Sequence, residues 1–127
     1  VWRVIEMDGR GVPEVPLHTW MGTSVGRYEG DTLVIESRHF IGWEANAHRW
    51  VDRLGHPFSD ELTVTERFRK VNENRIESQI TIDDPIAYTR PWTATMAYAR
   101  QEAGFEIGEF VCQELMLSEL PFNRLEP

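Results

Sequence analysis

The stretch Leu62-Thr63-Val64-Thr65-Glu66-Arg67-Phe68-Arg69-Lys70-Val71 decides the fold class. It alternates as a half-buried β-strand does, with Leu62, Val64 and Phe68 on one face and Thr63, Thr65, Arg67 and Arg69 on the other. Glu66 falls in phase with the apolar face. A carboxylate turned inward costs on the order of several kcal/mol unless it is paired, hydrogen-bonded or protonated. Glu66 is therefore the leading candidate for a functional group. Its structural alternative is an ion pair with an arginine such as Arg90, Arg75 or Arg38.

Working outward, residues 75–83 form the next alternating run, with Ile76, Ser78, Ile80 and Ile82 on one face. A three-residue loop at Asn72-Glu73-Asn74 would pair residue 70 with 76, 68 with 78, 66 with 80 and 64 with 82. The two apolar faces then coincide, and a slip by one residue would separate them. In this register Glu66 lies opposite Ile80, with Ser78 diagonal to it as a hydrogen-bond donor. Beyond the turn signal Asp83-Asp84-Pro85, Trp92, Ala94, Met96 and Tyr98 share one face of a further strand. A last strand is expected over residues 105–117, with Phe105, Ile107, Glu109 and Val111 on one side and Phe110, Cys112 and Glu114 on the other.

Upstream, Trp2 to Met7 reads as a strand ending at Asp8-Gly9-Arg10-Gly11, and Pro13 and Pro16 hold an extended connection. Arg27-Tyr28, Glu29-Gly30-Asp31 and Thr32 to Arg38 read as a hairpin with glycine at the turn. Residues 40–61 form an irregular, lid-like segment, in which Glu44 to Arg53 is expected to make a short helix stopped at Leu54-Gly55-His56-Pro57. The predicted architecture is one antiparallel β domain over residues 1–127, a small barrel or a strongly curved sheet, lipocalin-like in general shape.

A chain of 127 residues has length for one such domain. Its net charge of −8 argues against nucleic acid and anionic membranes, which need clustered Lys and Arg, and favours a neutral or cationic ligand. No apolar run reaches membrane-spanning length. Cys112 is the single cysteine, so an intrachain disulfide and a multi-thiolate metal site are both excluded, while the compartment stays open. The sequence starts at Val1 within structured-looking sequence, as a trimmed or processed product would.

Gly22-Thr23-Ser24-Val25-Gly26 has the G-x-S-x-G form of a hydrolase nucleophile elbow, but hairpin sequence follows it where that elbow requires a helix. A glycine-flexed loop entering a strand is the better reading. His18, His39, His48 and His56 lack a metal-site spacing such as H-E-x-x-H. Neither a metal nor a cofactor is expected.

A resemblance covers most of the chain. It rests on Trp20-Met21-Gly22, Ser24, Gly26-Arg27-Tyr28-Glu29-Gly30-Asp31-Thr32-Leu33-Val34, Thr65-Glu66-Arg67-Phe68, Thr81-Ile82-Asp83-Asp84-Pro85, Tyr88-Thr89-Arg90-Pro91-Trp92, and Cys112 followed by Glu114. In these stretches the chain resembles the C-terminal part of a widespread family of uncharacterised bacterial proteins. Tyr28 departs from the tryptophan usual there, and residues 43–53 are distinctive. The resemblance implies the boundaries of the fold and an envelope location, and it assigns no catalytic residue.

The functional expectation is a cofactor-free enzyme of isomerase, lyase or hydrolase type, acting on a small apolar or aromatic molecule inside a β cavity. Glu66 would transfer the proton, with His56, Asp52 or Tyr98 as its partner. Trp20, Trp43, Trp50, Phe68, Trp92, Cys112 and Glu114 would line the ligand site. The alternatives are a non-catalytic carrier of the same shape, and a subunit or fragment completed by a larger assembly, for instance a homo-oligomer.

Overall fold

In the computed structural model, residues 2–14, 17–45, 50–106 and 108 are described. They build a six-stranded sheet in which each strand lies beside its neighbour in sequence: β1 (Ile5–Glu6), β2 (Thr23–Glu29), β3 (Thr32–Arg38), β4 (Thr63–Asn72), β5 (Arg75–Asp83) and β6 (Trp92–Ala99). The protein is mostly β, and no helix occurs among the described residues.

Local chemistry accounts for the two tight hairpins. Between β2 and β3, Glu29 faces Thr32 across the two-residue turn Gly30-Asp31. Gly30 has φ 63° and is the one turn residue with positive φ, the pattern of a type II′ turn, which glycine adopts without a Cβ penalty. Between β4 and β5 the expected pairs are all present: Val64 with Ile82, Glu66 with Ile80, Phe68 with Ser78 and Lys70 with Ile76. The loop itself is shorter than expected. Asn72 pairs with Arg75, so the register shifts between Lys70 and Asn72, and Val71 is the extra residue of a bulge. The Asn72 side chain accepts from the Asn74 amide at 2.9 Å and closes the two-residue turn.

Three expectations need correction. The first strand shrinks to two residues and pairs parallel with β2, Ile5 beside Ser24 and Glu6 beside Val25, so the sheet is mixed rather than antiparallel. A parallel neighbour needs a long crossover, which the extended connection around Pro13 provides. The sheet does not close into a barrel among the described residues. Finally, Trp43–Ala45 is a turn and Trp50 makes an isolated antiparallel bridge with Pro57, where a short helix was predicted; residues 46–49 lie outside the described set. So does nearly all of the expected last strand, including Cys112 and Glu114.

The core sits between one face of β3–β6 and the irregular segment. Phe58, Leu62 and Ile82 are buried together, and Phe40, Val51, Val64, Ile80, Tyr88 and Trp92 pack around them. Asp84 fastens the segment to the sheet, and Gly42 closes the segment on itself. Asp84, 1% exposed, accepts from the Ser59 amide at 2.6 Å, the Ser59 hydroxyl at 2.8 Å and the amides of Ile86 and Ala87 at 3.1 and 2.9 Å. Gly42 lies so close to the Ser59–Asp60 backbone that a Cβ built on it would stand 2.4 Å from Asp60 N and from Ser59 C. The Tyr88 hydroxyl adds a third tie by donating to the Pro57 carbonyl at 2.7 Å.

Burial is the leading influence on Tyr88 and, with the negative charges of Asp84 and Asp52, pushes its hydroxyl above the ordinary 10.0. A raised folded value means that the protonated phenol is favoured by folding. This contribution is complete below pH 10 and is lost as pH rises through the folded value. Stability is therefore expected to fall above about pH 10 with a component that Tyr88→Phe removes. Urea midpoints across that range check it, and an unchanged alkaline slope in the phenylalanine variant would show that Tyr88 is not the titrating tie.

Candidate functional site

A cleft of about 430 Å³ opens where the irregular segment meets the sheet. The sheet supplies its floor through β-alternation. Val64 and Glu66 on β4, Ile80 and Ile82 on β5, and Trp92, Ala94 and Met96 on β6 share one face, because Glu66 pairs with Ile80 and Ile80 with Ala94, while Val64 pairs with Ile82 and Ile82 with Trp92. Trp20, Phe40, Trp50 and Phe58 close the sides, with Trp20 and Trp50 each more than half exposed. The walls are thus aromatic and aliphatic, with a few polar groups converging on them, the usual composition of a small-molecule site.

Glu66 is in the cleft, with its side chain only 13% exposed, and it has a partner. That partner is Arg3, which precedes β1 and forms an ion pair with Glu66 Oε2. The arginines expected for the role are engaged elsewhere or point away: Arg38 pairs with Glu36 and Arg75 with Glu77, both near the surface, and Arg90 is exposed. Arg3 Nη1 also approaches the hydroxyl of Ser37 at 3.5 Å, and Ser37 shares a 2.7 Å hydrogen bond with Ser24. A buried polar string therefore ties the cleft floor to β2 and β3. Ser78, expected diagonal to Glu66 as a donor, is fully buried opposite Phe68, and its hydroxyl has no hydrogen-bond partner.

Asp52 lines the rim and holds His56, with Oδ2 2.6 Å from Nδ1. This hydrogen bond, ahead of two from the backbone amides of His56 and Leu54, keeps the Asp52 carboxyl below its ordinary 3.8. The His56 ring stands 5.8 Å from that of Trp92. The indole Nε1–H of Trp92 is buried without a regular hydrogen bond, near the Tyr88 hydroxyl, whose ring meets the indole edge-on at 5.8 Å and which itself donates to Pro57.

The structure thus gathers Glu66, Asp52, His56, Trp20, Trp50 and Trp92 about one cleft. It does not bring Tyr98, Phe68 or Trp43 there. Tyr98 faces Ile76 near the far end of β6 and packs against Phe68 at 6.2 Å, two rows along the sheet from Glu66. A strand rises about 3.3 Å per residue, so the phenol is carried well past the carboxylate. Trp43 instead donates its amide to the Phe58 carbonyl and holds the irregular segment together.

Sequence reasoning missed Arg3. Alternation places it on the face of Ile5, but the parallel contact that delivers it spans residues 7–22, where periodicity carries no pairing signal. Ser24 is no exposed nucleophile, since it lies inside β2 at 3% exposure, bonded to Ser37.

A larger hollow of about 640 Å³ is lined by Glu14, Arg38, Asp60 and Glu61 with two histidines, and no tryptophan, tyrosine or phenylalanine among the described residues lines it. His18 and His39 stand 5.6 Å apart beside it. No group of three His, Cys, Asp or Glu side chains among the described residues is arranged to hold a metal ion. No protein family, curated protein or solved structure matches this chain.

Proposed function

We propose that the protein binds a small, largely apolar or aromatic molecule in the tryptophan-walled cleft. The observation that carries this reading is the placement of the Arg3–Glu66 pair on an otherwise apolar floor beneath Trp20, Trp50 and Trp92. A half-buried ion pair adds little net stability, because desolvation offsets most of the attraction. Its position inside a cleft gives it a recognition role. On this reading the curved sheet cups its ligand in a lipocalin-like manner, and the segment over residues 40–61 acts as the cover. The bacterial family that the sequence resembles would share that site.

The second reading, acid/base catalysis, is supported by Asp52 and His56. A carboxylate orienting an imidazole at 2.6 Å is the arrangement that prepares a histidine for proton transfer. Glu66, engaged by Arg3, then acts through electrostatics and substrate orientation.

Titration with the neutral aromatic dye N-phenyl-1-naphthylamine tests the site. The dye is expected to bind with a rise in fluorescence, and Trp92→Leu is expected to weaken it by about tenfold. Equal binding by the wild type and this variant would remove the cleft from consideration. Catalysis would appear as a compound that is chemically altered by the wild type and still bound, unaltered, by His56→Ala.

A further inference from the structure

The cleft shows how a ligand would be read as well as where it would lie. We infer that the ligand is a neutral, planar heteroaromatic ring carrying a cyclic-amide edge, an inference that rests on the binding role proposed above for the same cleft.

Three observations converge on this class. The first is charge. The ionisable groups at the cleft are already paired, Arg3 with Glu66 by an ion pair and Asp52 with His56 by a hydrogen bond. A cationic ligand would meet the guanidinium of Arg3, and an anionic one would meet two carboxylates. A neutral molecule encounters neither repulsion.

The second is shape. Three indoles bound the cleft, and aromatic faces favour flat partners in offset or edge-on packing. Phosphate-bearing ligands are disfavoured, since the charge of Arg3 is balanced by Glu66 and no second arginine or lysine stands among the described residues lining the cleft.

The third is hydrogen bonding. Among the described residues Glu66 is engaged through Oε2, which leaves Oε1 as an acceptor at the cleft. Arg3 commits Nη2 to that carboxylate and has only a long contact from Nη1 to Ser37, so it retains N–H donors of its five. An acceptor and a donor therefore stand side by side. Their complement is a molecule whose adjacent atoms offer a donor and an acceptor in one plane, and the N–H and C=O of a lactam do so. A buried or half-buried polar pair of this kind selects ligands by the penalty of leaving its groups unmatched.

Calorimetric titration of the full chain with 2-quinolinone, its N-methyl derivative and quinoline tests the inference. 2-Quinolinone is expected to bind at least about tenfold more tightly than the other two, which keep the flat ring but lack the N–H. Glu66→Leu is expected to erase that preference while the variant still binds quinoline, which also shows that it has folded. Equal binding of all three rings would overturn the amide-edge inference and leave the cleft as an aromatic site. Tighter binding of 1-naphthoate or benzyltrimethylammonium than of 2-quinolinone would overturn the neutral class. Absence of binding by every ring, together with no response to the naphthylamine dye, would overturn both this inference and the function on which it rests.

Discussion

Asp84→Ala is expected to destabilise the protein by roughly 3–5 kcal/mol, more than any substitution within the cleft. The carboxylate is 1% exposed and serves four donors, two from Ser59 and one each from Ile86 and Ala87. Alanine leaves buried N–H and O–H groups without acceptors, each costing about 1–3 kcal/mol, with partial relief where water can enter. The loss also releases Ser59, and with it the neighbouring Phe58, from the core around Leu62 and Ile82. The urea midpoint should fall by roughly 2 M. Its exposed neighbour provides the control: Asp83→Ala should stay within about 0.5 kcal/mol of the wild type. If the two variants unfolded together, the four hydrogen bonds would not be what fastens the segment to the sheet. Asp84→Asn should lie between them, because one oxygen remains an acceptor while the new NH₂ confronts a donor.

The second large effect is expected at Gly42. A Cβ there would stand 2.4 Å from the backbone at both Asp60 N and Ser59 C and 2.6 Å from the Glu44 carboxylate. Side chains can rotate away from a clash, but main-chain atoms move only by displacing the segment that carries them. Gly42→Ala should therefore cost about 2–4 kcal/mol and part residues 58–60 from their seat on the core. Gly11, which has no atoms within 4 Å of its would-be Cβ, is the matched control, and Gly11→Ala should be neutral or slightly stabilising. Equal midpoints for the two alanine variants would mean that the segment has slack the structure does not show. Because the same segment carries Trp50, Val51 and Asp52 into the cleft, Gly42→Ala should also weaken dye binding, linking a backbone contact to function.

Such effects follow from how differently the elements of this protein are encoded. The β4–β5 pairing is legible in the sequence, pair by pair from Val64–Ile82 to Lys70–Ile76, because two adjacent alternating runs admit one register that aligns their apolar faces. The bulge at Val71 is not legible, since it changes the turn without disturbing that alignment. The hairpin at Gly30 is encoded locally as well, by a residue that tolerates φ 63°. Glu66 stood out by the same alternation, as a carboxylate in phase with the apolar face.

Contacts between distant segments left no comparable trace. Asp84 reads as a turn residue, and only the approach of Ser59 makes it a buried clamp. Tyr98 shares a face with Trp92 yet lies too far along the strand to join the cleft. Asp52 was expected in a short helix and His56 in the segment that stops it, and a turn near Leu54 brings them together.

The amino-acid order by itself determined that this chain forms β-strands, which faces of β4 and β5 turn inward, and that a carboxylate sits among them. Tertiary structure alone decided that Arg3 meets that carboxylate, that Asp84 anchors the irregular segment, and that of the aromatic side chains expected around the ligand Trp20, Trp50 and Trp92 reach the cleft while Trp43 and Phe68 do not. The physical reason is range. Alternation and turn preference act between residues a few positions apart, whereas the partner of a buried charge is chosen by whichever segment the folded sheet carries within a few ångströms of it.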